Sequence, residues 1–163
     1  MHRLFIAIRP PEDVRDLLID AMDDSPALRW VGDEQLHLTL RFIGEVERPV
    51  ANDIAVALDH VRSPSFDLSI AGVGKFEQRN GGALWAGVSP KEPVVMLAAK
   101  IERAIQQVGL EPEHRTFRPH ITLRHASHPP TIEPFDFTAT TVAACHLGRF
   151  CSCRRVLRSW TLG

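Results

Sequence analysis

Two short segments of this chain repeat one alternating pattern of polar and apolar side chains. "HLTLRF" covers residues 37–42 and "HITLR" covers residues 120–124. Successive side chains of a strand point to opposite faces, so the leucines and isoleucine of both segments are predicted to face the core, together with Phe42. The histidine, threonine and arginine of each segment then share the other face. The repeat therefore predicts two strands that each present a polar row.

The sequence around each repeat predicts comparable strand and helix elements in the two halves of the chain. Strands are predicted at residues 3–8, 37–42, 66–76, 82–89, 120–124, 137–147 and 154–162. Helices are predicted after Pro11, over Val50–Val61 and over Val94–Val108, the last of them ended by Gly109. No Gly/Ser-rich linker separates the halves. Residues 1–163 are therefore predicted to form a single domain with two packed lobes.

Composition limits the class of partner and the compartment. The chain has 163 residues, 44% of them hydrophobic, and a net charge of −1, which is too little positive charge for a broad surface that binds duplex DNA. The apolar stretch Leu4–Ile8 is too short for a signal peptide core or a membrane span. Three cysteines cannot all pair within one chain, which favours reduced thiols in the cytosol. We expect a cytoplasmic, monomeric protein without a membrane segment.

Two histidine and threonine pairs on facing strands suit the cleavage of a phosphodiester. An in-line displacement at phosphorus needs a base on the entering oxygen and an acid on the leaving oxygen. Because the unperturbed pKa of histidine is about 6.5, His37 and His120 can take these two roles near neutral pH. Thr39 and Thr122 can donate hydrogen bonds to the non-bridging phosphoryl oxygens. This arrangement requires no metal and no other cofactor.

Residues beside the two motifs are further candidates for substrate contacts. Arg41 and Arg124 are predicted to add positive charge at the phosphate. Phe117 and Arg118, just before the second histidine, are candidates for stacking on or contacting a terminal base, as in many sites for single-stranded RNA. His125 is predicted to lie near the mouth of the cleft between the two rows.

The paired H-x-T-x motifs resemble those of the two-histidine phosphoesterase superfamily. "RLFIAIRPP", "RWVGDEQLHLTLRFIGEV", "GALWAGVS", "FRPHITL" and "RVLRSW" are similar, in this order, to segments of the bacterial RNA 2′,3′-cyclic phosphodiesterases, also called 2′-5′ RNA ligases. The resemblance implies a bilobal, pseudo-symmetric α+β fold. Two antiparallel sheets are expected to face a central cleft, with helices packed outside.

The resemblance also implies an activity and roles for the motif residues. It implies hydrolysis of a terminal 2′,3′-cyclic phosphate, on single-stranded RNA ends or tRNA fragments, to a 2′-phosphomonoester, and reversible joining of RNA ends through a 2′-5′ linkage. His37 is then cast as the acid on the departing 3′ oxygen and His120 as the base on water. Relatives often carry an arginine five residues after the second histidine, where this chain has His125. Either Arg124 or His125 is expected to take its place.

Three other interpretations stay open at this point. The cleft could belong to a module that binds the phosphate of an RNA end without turnover, or to a two-histidine enzyme for small cyclic nucleotides. A metal site is the third, because Cys145, His146, Cys151 and Cys153 are donor types that zinc prefers. The spacing in "CSC" is tighter than that of most structural zinc pairs, and buried cysteines in strands are a commoner use. The sequence therefore favours no metal.

Overall fold

The computed structural model describes residues 2–23, 30–78, 81–126, 145–146, 149–152 and 158–161. Within these residues the strands are β1 (His2–Ile8), β2 (Leu38–Val46), β3 (Asp67–Gln78), β4 (Gly81–Ser89), β5 (His120–Ala126), β6 (Cys145–His146), β7 (Arg149–Ser152) and β8 (Arg158–Thr161). The helices are α1 (Glu12–Asp23), α2 (Arg48–Leu58) and α3 (Glu92–Gln107), and Asp33–Gln35 forms a short 3₁₀ helix.

The predicted elements that the structure describes agree with it in type and order, with shifts of a few residues at their ends, whereas β7 was not predicted. The strand predicted over residues 37–42 begins one residue later and continues to Val46. The helices predicted over Val50–Val61 and Val94–Val108 begin and end earlier, each with a proline in its first turn. Of the strands predicted at residues 137–147 and 154–162, the structure describes only β6 and β8.

The described strands form one antiparallel sheet in the order β6-β3-β4-β5-β2-β1-β7-β8. Strands of the first half meet strands of the second where β2 pairs with β5 through the single pair Leu38 and Ile121. The predicted α+β class is therefore confirmed. The sequence predicted two antiparallel sheets that face a cleft; in the structure these two sets of strands are joined edge to edge. This pairing satisfies backbone groups that the edge of each set would otherwise leave open.

One face of the sheet is covered by the helices and holds the core. Leu4, Ile6 and Ile8 of β1 are buried, as alternation on a strand requires. They belong to one cluster with apolar residues spaced three or four apart on the helices. The helical members are Val14, Leu18 and Met22 of α1, Ile54 and Leu58 of α2, and Val94, Leu97, Ala98, Ile101 and Ile105 of α3. We call this side of the sheet the helix face and the opposite side the open face.

Strand β2 carries a bulge just after its histidine motif. Ala7 of β1 pairs with Thr39, but the next residue, Ile6, pairs with Arg41, so Leu40 is extra in the ladder. Paired residues of antiparallel strands point to the same face, and a bulge reverses the alternation beyond it. Arg41 therefore shares the helix face with Ile6, instead of the open face that regular alternation predicted.

Strand β5 carries a bulge at the corresponding place. Trp85 of β4 pairs with Thr122 and Leu84 pairs with Arg124, so Leu123 is the extra residue. The carbonyl oxygen of Leu123 accepts a hydrogen bond from the backbone N–H of Val31 at 2.9 Å. The segment that precedes the first motif thus satisfies a group that the bulge leaves out of the ladder. The two bulges are a pseudo-symmetric feature of the two halves.

Candidate active site

The two motif histidines lie on adjacent strands, on the open face. His37 directly precedes β2, and His120 is the first residue of β5. Leu38 and Ile121 form the β2–β5 pair and are buried on the helix face. Because the pair is antiparallel, the flanking positions set each histidine beside the threonine of the other motif. The fold thus brings together the two motifs that are far apart in the sequence.

The imidazole of His37 is half-buried between an aromatic ring and a turn of backbone. Phe5 of β1 stacks on it, with ring centroids 4.8 Å apart and an interplanar angle of 24°. The backbone carbonyl of Gln35, at the end of the 3₁₀ helix, accepts a hydrogen bond from the ring. These two contacts fix the plane of the imidazole, since one sets the tilt of the ring and the other its rotation.

Burial lowers the pKa of His37 below the usual value of a histidine. The hydrogen bond to the Gln35 carbonyl acts in the opposite direction, because it favours the protonated ring. Positive charge on Arg9, His125 and His120 lowers the pKa further. The three histidines therefore lie near enough to influence one another, and His37 stays neutral to lower pH than an exposed imidazole.

His120 is also held by a carbonyl and by aromatic rings. Its Nδ1 lies 2.6 Å from the carbonyl oxygen of Arg118, which accepts the Nδ1–H bond. The ring of Phe76 in β3 meets the imidazole edge to face with centroids 5.0 Å apart. Trp85 in β4 is the next ring outward, at 6.1 Å from His120 and 5.3 Å from Phe76. Aromatic rings of the second lobe thus pack around this histidine.

The two histidines share one mode of support. Each ring is hydrogen-bonded to the backbone carbonyl two residues before it, Gln35 for His37 and Arg118 for His120. A carbonyl that accepts from one ring nitrogen fixes the tautomer and leaves the other nitrogen free to accept or donate a proton. Two such rings on one face are suited to general acid-base chemistry.

An ion-pair cluster holds the 3₁₀ helix that supplies the carbonyl to His37. Asp33 Oδ1 lies 2.6 Å from Nε of Arg15 in α1, and its Oδ2 lies 2.7 Å from the guanidinium of Arg9. The hydrogen bond from Arg15 is the largest cause of a lowered pKa at Asp33. Helix α1 and the end of β1 are thereby tied to the turn that positions the first motif.

The threonines of both motifs lie on the open face, as the sequence predicted. Thr39 pairs with Ala7 and Thr122 pairs with Trp85, and both threonine side chains are partly exposed. They precede the bulges, so regular alternation from the histidines still holds at these positions. Their hydroxyls can therefore donate to an anion that sits between the two motifs.

Arg41 is turned away from this site, and the predicted phosphate contact is wrong for it. Its side chain, only 10% exposed, forms an ion pair from Nε to Oε2 of Glu102 in α3 at 2.8 Å. A second guanidinium nitrogen donates to the carbonyl of Glu111 at 2.7 Å, and Glu113 lies 3.4 Å away. The bulge at Leu40 explains the difference, because it moves the arginine to the helix face.

Arg124 is displaced in the same way by the bulge at Leu123. It pairs with Leu84, which is buried on the helix face. Its Nε is buried and has no hydrogen-bond partner among the residues that the structure describes. The register therefore does not support the phosphate contact predicted for Arg124.

The bulges bring the next residue of each strand, Phe42 and His125, to the open face. Phe42 pairs with Phe5 and is 42% exposed, so the prediction that it faces the core is wrong. The guanidinium of Arg3 lies over its ring, 5.5 Å from the centroid. His125 pairs with Ala83 and is exposed, and its place at the mouth of the site stays a prediction.

Sequence reasoning missed some of these neighbours and misplaced others. The sequence predicts Phe5 only as a strand residue. Its contact with His37 could not be predicted, because it depends on the register between β1 and β2. Phe117, a candidate for base stacking, packs against the core instead. The side chain of Arg118 is exposed, and its carbonyl has the contact with His120.

The described residues give no support to a metal centre or a membrane span. Among them, no three histidine, cysteine, aspartate or glutamate side chains are grouped so that they could hold a metal ion. Of the residues weighed as zinc ligands, Cys153 lies outside the described residues, and Cys145, His146 and Cys151 are described only as strand positions. No helix in the same part of the chain is long and apolar enough to cross a membrane.

Comparisons with known proteins agree with this geometry. The model of the 2′-5′ RNA ligase superfamily matches residues 10–146. RNA 2′,3′-cyclic phosphodiesterase of Escherichia coli is 32% identical over 172 residues, covering 99% of this chain and 97% of that protein. The protein of the same name from Thermotoga maritima is 31% identical, covering 86% and 81%.

A solved structure matches along almost the entire chain. The crystal structure of E. coli LigT complexed with 3′-AMP has a TM-score of 0.81 and 28% sequence identity, covering 99% of this chain and 98% of that one. The order of strands and helices, the two H-x-T motifs and these matches lead to one assignment. The chain belongs to the 2′-5′ RNA ligase superfamily of two-histidine phosphoesterases.

Proposed function

We propose that this protein is an RNA 2′,3′-cyclic phosphodiesterase that hydrolyses a terminal cyclic phosphate to a 2′-phosphomonoester. One observation carries the proposal: both H-x-T motifs lie on the open face of two adjacent strands, each histidine held by a backbone carbonyl. A pair of positioned imidazoles is what an in-line displacement at phosphorus needs. The relatives in E. coli and T. maritima bear the name of this activity.

The reaction consumes one water and breaks one phosphorus–oxygen bond. A base takes a proton from water as its oxygen attacks phosphorus, and the bond to the 3′ oxygen breaks as an acid gives that oxygen a proton. Thr39 and Thr122 donate hydrogen bonds to the non-bridging oxygens, where negative charge increases in the transition state. The product carries a 2′-phosphate and a free 3′ hydroxyl.

The surroundings of His37 favour the role of base for it. Burial lowers the pKa of His37, so the ring is neutral at neutral pH and can accept the proton of water. His120 is then the acid on the 3′ oxygen. This assignment is the reverse of the one suggested by family resemblance. In the joining reaction the 5′ hydroxyl of a second RNA end replaces water as the nucleophile, and the bond to the 3′ oxygen breaks again, so each histidine keeps its role. The roles exchange only when the 2′-5′ linkage is cleaved back to the cyclic phosphate, because that reaction passes through the same transition state in reverse.

Mass spectrometry of an RNA oligonucleotide with a 2′,3′-cyclic phosphate tests the proposal. Hydrolysis adds the mass of one water and yields a 2′-phosphate. His37→Ala and His120→Ala are each expected to lower kcat by about 10² to 10⁴, and the double variant by little more, since the two rings act as a unit. The matched control is His60→Ala, which removes an exposed histidine beyond α2.

Each alternative predicts a different result in the same assay. A module that only binds RNA ends leaves the mass of the oligonucleotide unchanged. An enzyme for small cyclic nucleotides turns over a 2′,3′-cyclic mononucleotide and not the oligonucleotide. Loss of turnover after treatment with a strong chelator would indicate a metal-dependent reaction and contradict the scheme above. Unchanged kcat in His37→Ala would contradict the acid-base assignment.

The natural substrate and setting form the finer part of the proposal. We propose single-stranded RNA ends or tRNA fragments as substrates, because E. coli LigT has been crystallised with 3′-AMP, a nucleotide with a terminal phosphate. We further propose that residues 1–163 act as one monomeric, cytoplasmic domain, as their composition suggests. A cluster of buried residues within the described ranges draws on both halves, which supports one domain.

A further inference from the structure

Residues 110–119 connect α3 to β5 and form neither helix nor strand. The segment leads into His120, and its Arg118 carbonyl is the group that accepts the Nδ1–H of that ring. The orientation of the His120 imidazole therefore depends on a stretch of chain that has no strand ladder or helical turn of its own. Contacts with neighbouring elements must hold this segment in place.

The two ends of the segment are packed into the protein, but its middle is not. Leu110 and Phe117 pack against the core cluster, and Pro119 is buried. Residues 111–116 are exposed, with the exception of Glu113, which is half-buried. The middle of the segment thus buries little apolar surface, and its position depends on polar contacts.

Arg41 of β2 supplies several of these polar contacts. One guanidinium nitrogen, Nη2, donates to the Glu111 carbonyl at 2.7 Å, and Nη1 lies 3.4 Å from Oε2 of Glu113. Nε forms an ion pair at 2.8 Å with Oε2 of Glu102 in α3, whose other oxygen accepts the backbone N–H of Glu113 at 3.0 Å. The planar fork of arginine allows these contacts to form together. We call them the Arg41 network.

The network lies beside the second motif because β2 and β5 are antiparallel. From the pair of Leu38 and Ile121, the residues after Leu38 run alongside those that precede β5. The bulge at Leu40 then turns the side chain of Arg41 to the helix face, where α3 lies. Regular alternation would have placed the guanidinium on the open face, away from α3. An arginine of the first motif strand thus holds the segment that leads into the second motif.

The charges of the Arg41 network are largely shielded from water. The side chain of Arg41 is 10% exposed, and those of Glu102 and Glu113 are 23% and 28% exposed. Such partners separate less readily than surface ions, because neither regains full hydration. Arg115 binds Glu113 from the other side but is 79% exposed, so its contribution is weaker. Arg41 is therefore the residue whose loss should release the segment.

We propose that Arg41 is a positioning residue for His120, which it aligns by holding the segment that carries the Arg118 carbonyl. The effect on turnover rests on the proposed function, in which His120 is the acid on the 3′ oxygen. The guanidinium lies on the helix face, so Arg41 acts through the backbone and not by contact with substrate. A misaligned imidazole slows the chemical step but leaves substrate binding nearly intact. The expected signature is a lower kcat with little change in KM.

Steady-state kinetics of Arg41→Ala on a cyclic-phosphate oligonucleotide test the inference. We expect kcat to fall about tenfold and KM to stay within about twofold of wild type. Arg41→Lys should recover part of kcat, because an ammonium replaces some of the contacts. The control is Leu58→Ala, which removes a buried side chain of α2 outside the Arg41 network and lowers stability. Under conditions where urea denaturation shows every variant folded, Leu58→Ala should keep the kcat of wild type.

Nitrogen NMR of the histidine rings gives a readout that does not depend on turnover. The chemical shifts of the two ring nitrogens distinguish the Nδ1–H tautomer from the Nε2–H tautomer. The Arg118 carbonyl favours the Nδ1–H tautomer of neutral His120 in wild type, and Arg41→Ala should lower its population. His37 is the internal control, because its carbonyl comes from Gln35, which lies outside the Arg41 network.

The two measurements separate this inference from the proposed function. If no protein hydrolyses RNA but the His120 tautomer changes in Arg41→Ala and not in Leu58→Ala, the positioning role stands and the proposed function fails. If turnover is normal and Arg41→Ala keeps both kcat and the tautomer of wild type, the inference is overturned. A raised KM with unchanged kcat, or an equal fall of kcat in Leu58→Ala, would also overturn it. If Arg41→Ala does not fold, the same comparison is made with Arg41→Lys.

Discussion

The ring of Phe5 stacks on the imidazole of His37, with centroids 4.8 Å apart and ring planes inclined by 24°. Phe5 belongs to β1, and His37 directly precedes β2. One side of the proposed base is therefore covered by an apolar ring that the neighbouring strand supplies. Because burial is the largest cause of the lowered pKa of His37, this contact links the packing of β1 to the chemistry.

Replacing Phe5 by alanine should raise the pKa of His37. Without the ring, water reaches the imidazole, the protonated form is better solvated, and the pKa returns toward its ordinary value. The acid limb of the kcat/KM profile should then move to higher pH. NMR titration of the His37 ring measures the change directly. Phe42→Ala, which removes an exposed ring of the same strand face, is the control, and an unmoved His37 titration in Phe5→Ala would contradict the prediction.

Gly74→Ala should damage the aromatic cluster around His120. A Cβ built at Gly74 would lie 2.1 Å from Cζ2 of Trp85, so the indole must move. Forced displacement of a packed ring costs about 1–3 kcal/mol of unfolding free energy. Because Trp85 neighbours His120, we also expect kcat to fall by about tenfold through loss of alignment.

Gly32→Ala provides a matched control for that substitution. A Cβ at Gly32 meets nothing within 4 Å, and its φ of −79° is open to any residue. Urea denaturation and kcat are to be measured for both variants. Equal stability and equal kcat for the two would show that the indole has room to shift, contrary to the prediction.

Arg41→Ala should destabilise the fold more than it weakens substrate binding. The guanidinium bridges β2 to Glu102 of α3 and to the backbone at Glu111. Removing one partner of a mostly buried ion pair costs about 2–4 kcal/mol, because the carboxylate is left without its counter-ion. Arg41→Lys should recover only part of the lost stability, since one ammonium cannot reach Glu102, Glu113 and the Glu111 carbonyl together. Urea denaturation measures the stability. A raised KM with unchanged stability would instead indicate that Arg41 contacts the phosphate of the substrate.

The contribution of Glu113 to the stability of the fold should be lost at acidic pH. Its pKa is lowered to about 2, first by the side-chain hydrogen bond from Arg115 and then by the Arg115 backbone N–H. A carboxylate with a depressed pKa stabilises the fold fully above its unfolded pKa of 4.5, and this stabilisation is lost as the pH falls through the folded value. Because the side chain is partly exposed, solvent screening limits the contribution to about 1 kcal/mol.

Glu113→Gln tests this dependence on pH. The variant should be less stable than wild type at neutral pH, and the difference should shrink as the pH is lowered from about 4.5 toward about 2. Urea denaturation at several pH values measures it. A difference that stays constant over this range would mean that the effect of the substitution does not come from the charge of Glu113.

The sequence was sufficient to predict the elements and the pair of motifs. The sequence predicted α1, α2 and α3 to within a few residues at their ends, and alternation predicted the strands that carry His37 and His120. These patterns lie within single elements, so the predictions from them do not depend on which strands pair with each other. The threonines are placed correctly for the same reason, because they stand two residues after each histidine and before either bulge.

The directions of the side chains beyond the bulges could not be predicted from the alternating pattern. Arg41 and Arg124 stand in the polar slots of a regular strand, yet the structure turns them to the helix face. Phe42 stands in an apolar slot and lies exposed. A bulge depends on the register of two strands, and the partners here are β1 and β4. Neither "HLTLRF" nor "HITLR" contains a glycine or proline that would mark where the ladder gains an extra residue.

The chain's own residues thus determined which groups are available for chemistry, and the tertiary structure decided which of them meet. Each of the two repeats contains an imidazole and a hydroxyl side chain at the same spacing. Their approach at Leu38 and Ile121, the stacking of Phe5, and the exchange of Arg124 for His125 on the open face all depend on pairing between distant strands. The physical reason is that side-chain direction follows local backbone geometry, whereas register is set by the packing of the complete sheet.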